Sequence, residues 1–138
     1  MENKLKDAIV SAESILNSEY GSLSLNGKDL VDKNGNSLYH HYGVVDRISK
    51  ELGVKATIFV KDGSDYRRIT TNITDASGNR VIDTMLDQKS AAYSCVQSGK
   101  DYSGEAVILG KNYLTEYLPI FASGSKDVIG ILFVGIEK

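Results

Sequence analysis

The chain has one cysteine, Cys95, and one proline, Pro119, in 138 residues. A lone cysteine excludes an intrachain disulfide, a cysteine zinc cluster and a CxxCH haem attachment. Stability must therefore come from packing, and a chain of this length buries roughly two-thirds of its unfolded surface, enough to fold without staples. An excess of one charge sign is also missing: 16 Lys and Arg stand against 18 Asp and Glu, a net charge of -2. That leaves no electrostatic footprint for nucleic acid. No apolar run is long enough to cross a bilayer, and no signal-peptide pattern precedes Lys4. Catalytic signatures are absent as well: there is no GxSxG, HExxH or P-loop. Asp83 and Asp87 lie close in sequence, but two loop carboxylates do not make an acid–base pair. Adjacent His40 and His41 rarely converge on one ion, and no carboxylate or cysteine cluster surrounds them, so a solvated loop is expected. The expectation is a non-enzyme with no metal and no cofactor. What is present, 41% hydrophobic and 25% charged residues, is ordinary for a globular domain.

The apolar residues set the elements. Leu5, Ala8, Ile9, Ala12, Ile15, Leu16 and Tyr20 recur at three and four, predicting an amphipathic helix over 2–19 that Glu2 favours at its start and Gly21 stops. Asn26-Gly27 and Asn34-Gly35 mark turns, and Leu23 and Leu25 suggest a short edge strand. A second helix is expected over 43–52, with Val45, Ile48 and Leu52 on one face and Gly53 at its end. The period then changes to two. Strands are predicted over 54–61 and 66–73 around an Asp62-Gly63 turn, a short helix over 89–98, and strands over 102–110, 113–121 and 127–136. Gly110–Asn112 and Ser123–Ser125 are the expected turns. Pro119 must sit at an edge or bulge, and the apolar run Val128–Ile136 should be a central strand. This order predicts an α+β fold: a five-stranded antiparallel sheet (core 54–136) with the long helix on one face, and loops and the short helix on the other.

Several stretches resemble the extracytoplasmic single Cache domain, a PAS-like sensor fold found in bacterial methyl-accepting chemotaxis proteins and sensor histidine kinases. They are Ala56–Val60, Arg68–Asn72, Asp75–Arg80, Gly99–Ala106, Leu109–Ile120 and Val128–Gly135. The likeness spans roughly residues 40–136. It departs from the family at Ile82-Asp83-Thr84, where Asp83 takes the place of the usual glycine. The resemblance implies one sensor domain over 1–138 that binds a small molecule, often a carboxylate or amino acid. It also implies an address on the periplasmic or outer face of a bacterial membrane. The chain starts on the helix and stops just past the last strand, where the family's transmembrane segments attach. The expectation is therefore an excised domain with an added Met1 that meets the membrane only through flanking segments.

Strand alternation gives a testable pocket. Arg68, Thr70 and Asn72 should share one face of their strand, and Tyr113, Thr115 and Tyr117 one face of theirs. Together these residues supply a guanidinium, an amide, hydroxyls and aromatic walls; Tyr93 and Lys111 flank them. Arg68 can hold a carboxylate through two parallel hydrogen bonds. Each also has a plain alternative: an ion pair for Arg68, sheet packing for the tyrosines, a local backbone bond for Asn72. The loop around 75–90 should close over the ligand, with Gly78 as a hinge. The competing functional readings are a cytosolic PAS-like module that dimerises through residues 2–19 and binds nothing, and a Cache domain read through a separate binding protein.

Overall fold

The computed structural model describes residues 2–122 and 124–138, with side chains from Lys4 onward. The expectations for Met1, the Glu2 side chain and Ser123 fall outside the described residues. Among the described residues, three helices and seven strands run in the order α1 (Glu2–Tyr20), β1 (Ser24–Asn26), β2 (Asp29–Val31), α2 (Gly43–Leu52), β3 (Lys55–Asp62), β4 (Asp65–Thr71), α3 (Ala91–Gln97), β5 (Tyr102–Ile108), β6 (Lys111–Phe121) and β7 (Val128–Glu137). The last five strands form one antiparallel sheet in the order β4-β3-β7-β6-β5. The fold is the expected α+β arrangement, with the most apolar strand, β7, at its centre.

The stripe Leu5, Ala8, Ile9, Ala12, Ile15 and Leu16 seats α1 on one face of the sheet, against residues such as Leu132 and Val134 of β7. Helix α2 joins that layer through Val44, Val45 and Ile48. It ends at Gly53, whose left-handed φ of 69° lets its N–H reach back to Ser49 O. The other face carries a second core, in which Phe59, Tyr66, Tyr117, Ile131 and Phe133 meet Ala92 and Val96 of α3 and Val81 and Leu86 of the preceding loop.

Three expectations need correction. Leu25 does not edge the main sheet: β1 and β2 form a separate two-stranded hairpin, because Asn26-Gly27 turns the chain back on itself before it reaches the sheet. The β5–β6 turn lies at Leu109-Gly110, not Gly110–Asn112; both residues have positive φ, 53° and 76°, as a two-residue hairpin turn demands. Most important, β4 does not alternate regularly. Phe59 pairs with Arg68, but its neighbour Ile58 pairs with Thr70, so Ile69 is an extra residue in a β-bulge. Pro119 meets its requirement locally: β5 ends its pairing at Tyr117, so Pro119 has β7 on one side and no β5 partner on the other.

Candidate functional site

A cavity of about 750 Å³ opens on the face of the sheet away from α1. Its floor includes Arg68 of β4 and Tyr117 of β6, and its walls include Val81, Thr84 and Leu86 of the loop before α3, Ala92 of α3, and Tyr102, Ala106 and Ile108 of β5. The bulge decides which β4 side chains reach it. Arg68 lies over Phe59 on the cavity face, its Cζ 4.9 Å from the ring centroid. One extra residue then moves Thr70 and Asn72 to the α1 and α2 face. Thr70 Oγ1 donates to His41 O, while Asn72 Nδ2 donates to Val45 O and its Oδ1 accepts from Ala56 N. The expected shared face of Arg68, Thr70 and Asn72 is therefore wrong. Thr71 takes the cavity-side position and pairs its hydroxyl with Thr57 at 2.7 Å.

On β6 the alternation holds, but of the three expected residues Tyr113, Thr115 and Tyr117 it is Tyr117 that lines the cavity, together with Asn112 near the start of the strand. Tyr113 is buried in the second core, and Thr115 Oγ1 donates to Gly104 O at 2.8 Å. Lys111 stands outside on the rim, mostly exposed, 3.8 Å from Glu137. Tyr93 is turned away, its hydroxyl donating to Ser64 O and its ring edge-on to Tyr66. Val81, Thr84, Met85, Leu86 and Asp87, from the segment near 75–90 expected to close over a ligand, form part of the cavity wall. Gly78, however, sits in a turn closed by Asp75, which accepts from Ser77 N and Asn79 N. Tyr102 was missed, although a two-residue turn at 109–110 places it directly opposite Tyr117.

The electrostatics centre on Arg68. It is only 8% exposed, and among the described residues no carboxylate pairs with it. Its Nη1 donates to Thr84 Oγ1 and Met85 O, both at 3.1 Å. Nε and Nη2 donate to none of the described groups; they share one edge of the guanidinium, the edge a carboxylate binds with both oxygens. Burial pushes the guanidinium pKa down. Taking an ion out of water costs several kcal/mol, whereas a cation–π contact such as that with Phe59 returns about 0.5–2 kcal/mol. The site thus holds a positive charge that the described residues leave under-compensated. The other charges on the lining are engaged elsewhere: Lys138 with Glu105, and Asp87 Oδ1 with Lys89 N. Glu116, on the opposite face, is buried and accepts from Ser103 Oγ.

Burial pushes the Tyr117 phenol up to about 12, against the opposing pull of the Arg68 charge. The unfolded phenol ionises near 10, so the neutral folded form is favoured below that pH. The advantage is lost as pH rises towards 12, where the folded group also ionises. Thermal melts between pH 9 and 12 should show about 2–3 kcal/mol of alkaline destabilisation from this group. Tyr117→Phe should remove that share of the slope; an unchanged slope would mean the hydroxyl is hydrated.

A long helix on one face of a five-stranded antiparallel sheet, with a charged cavity on the other, defines the PAS-like class of sensor folds. Within that class the chain belongs to the Cache 3/Cache 2 fusion domain family, whose model matches residues 6–138. Cache domains are sensory ligand-binding domains, typically extracytoplasmic. No curated protein matches the chain. Among the described residues no helix is long and apolar enough to cross a membrane.

Proposed function

We propose that this chain is the ligand-binding part of a transmembrane chemoreceptor or sensor kinase and binds a small organic acid or amino acid by its carboxylate. The observation that supports this reading is the buried Arg68 on the lining of the 750 Å³ cavity, whose Nε and Nη2 donate to none of the described groups. Apolar walls from Val81, Leu86, Ala92 and Ile108 suit a short carbon skeleton, and Asp87 on the lining, whose Oδ1 takes Lys89 N while Oδ2 accepts from none of the described groups, can accept an ammonium group. A metabolite of six to ten heavy atoms reaches micromolar affinity, about -8 kcal/mol, only near the upper range of efficiency per atom. A desolvated charge pair supplies that kind of contact. Bound ligand then shifts the balance between two arrangements of β7 relative to α1. Tyr117 packs on Phe133 of β7 with ring centroids 4.9 Å apart, which connects the cavity floor to that strand. The outer face of α1 is where a second copy would pair through residues 2–19.

Calorimetric titration with a panel of short organic acids and amino acids tests the proposal. One chemical class should bind, and at 100 times its Kd it should add about 2.7 kcal/mol to folding stability. A panel without a binder, on protein shown to be folded, would favour the module that dimerises and binds nothing.

A further inference from the structure

Arg68 is aimed by one short segment, and that segment is fastened from the opposite side of the sheet. Residues 83–86 run along the outer edge of β4: Asp83 N donates to Arg68 O, Arg68 N to Thr84 O and Leu86 N to Tyr66 O, all within 2.8–2.9 Å. The segment supplies both acceptors of Arg68 Nη1, Thr84 Oγ1 and Met85 O. It begins at Asp83, whose φ of 68° lies in the left-handed region that glycine enters freely and an aspartate enters at a cost. The aspartate side chain has two specific partners there. Oδ2 accepts from the Tyr39 hydroxyl at 2.6 Å and Oδ1 from Arg67 Nη1 at 2.8 Å. Arg67, next to Arg68 in sequence, points the other way. It donates to Lys28 O, lies 3.4 Å from Asp62 and covers the Tyr39 ring.

We infer that Asp83 is a positioning residue for the ligand site: clamped between Tyr39 and Arg67, it fixes the segment that holds Arg68 Nη1 and so keeps Nε and Nη2 presented to the cavity. This rests on the carboxylate reading above. The clamp acts through Thr84 and Met85, since Asp83 itself is not on the cavity lining. It also ties the site to the loop at Tyr39, which belongs to the α1 and α2 side of the sheet.

The test uses Asp83→Gly, which accepts the left-handed φ but has no carboxylate, and Asp83→Asn, which keeps an acceptor for Tyr39. Propionate is the calorimetric probe, and the Nε–H signal of Arg68 is followed by ¹⁵N NMR without ligand. Asp83→Gly should weaken propionate binding about tenfold, which is about 1.4 kcal/mol, and broaden or shift the Arg68 signal. Asp83→Asn should restore both to near the parent values. An Asp83→Gly protein with an unchanged Arg68 signal overturns the inference, whether or not propionate binds. Failure of propionate and its relatives to bind the parent protein, with the Arg68 signal still dependent on Asp83, instead counts against the carboxylate reading alone.

Discussion

Replacing Arg68 with methionine should make the empty domain more stable and unable to bind its ligand. The two effects have one cause. Arg68 is buried and, among the described residues, has no carboxylate to balance it. Methionine keeps a long flexible chain over Phe59 and removes the charge. Replacing buried charges with apolar groups of similar volume often adds about 1–4 kcal/mol. Against this stands the loss of two hydrogen bonds, to Thr84 Oγ1 and Met85 O. Each is worth about 1.5–3 kcal/mol at most for a charged donor, but both acceptors border an open cavity where water can replace the guanidinium. The net expectation is a gain of about 1–2 kcal/mol in the absence of ligand, read as a higher urea midpoint at unchanged m. Carboxylate affinity should fall on the order of 100-fold or more, since a desolvated charge pair carries about 2–5 kcal/mol. A domain that loses stability on this substitution and still binds would show Arg68 to be a structural residue.

Phe133→Ala should be the most damaging single truncation at the centre of the sheet. Phe133 is 1% exposed on β7, packs edge-on against Tyr117, and covers the bare backbone of Gly135. A side chain on Gly135 would meet the Phe133 ring at 2.6 Å. Removing a buried phenylalanine costs about 3–5 kcal/mol, the transfer term plus the void it leaves. Domains of this size have only about 5–15 kcal/mol in hand. Urea unfolding should therefore show a large drop in midpoint, and the titratable carboxylate affinity should fall with it because Tyr117 loses its support. Phe133→Leu, which keeps most of the volume, should cost less than about 1.5 kcal/mol. If alanine is as mild as leucine, the aromatic contact between cavity floor and central strand carries little, and the proposed route from site to β7 loses its basis.

The two residues behind these predictions were not equally legible. Phe133 lies in the most apolar run of the chain, which reads as a strand covered on both faces; β7 puts Leu132 and Val134 into one core and Ile131 and Phe133 into the other. Arg68 was legible as a residue but not as a geometry. Its grouping with Thr70 and Asn72 assumed unbroken alternation, and a bulge is a property of two paired strands, not of one. A hint was there: Tyr66 and Ile73 are both large and apolar, are an odd number of residues apart, and both enter the same core. The extra residue at Ile69 accords with that spacing. Asp83 gave a similar hint, an aspartate where the resemblance expected glycine. Its positive φ explains the glycine, and Tyr39 and Arg67 explain the aspartate.

Periodicity alone determined the element order, the helix stripe that binds α1 to the sheet and the centrality of the last strand, because each depends on residues close in sequence and on how much apolar surface they must hide. Only the tertiary structure decided which side chains share the cavity. That outcome depends on strand register, on a bulge at Ile69 and on the loop 81–87 pairing along the outer edge of β4, all set by pairing between segments far apart in the chain. A one-residue shift in pairing moves a side chain from one face of a sheet to the other, so local pattern could name Arg68 and Tyr117 but could not separate them from Thr70 and Asn72.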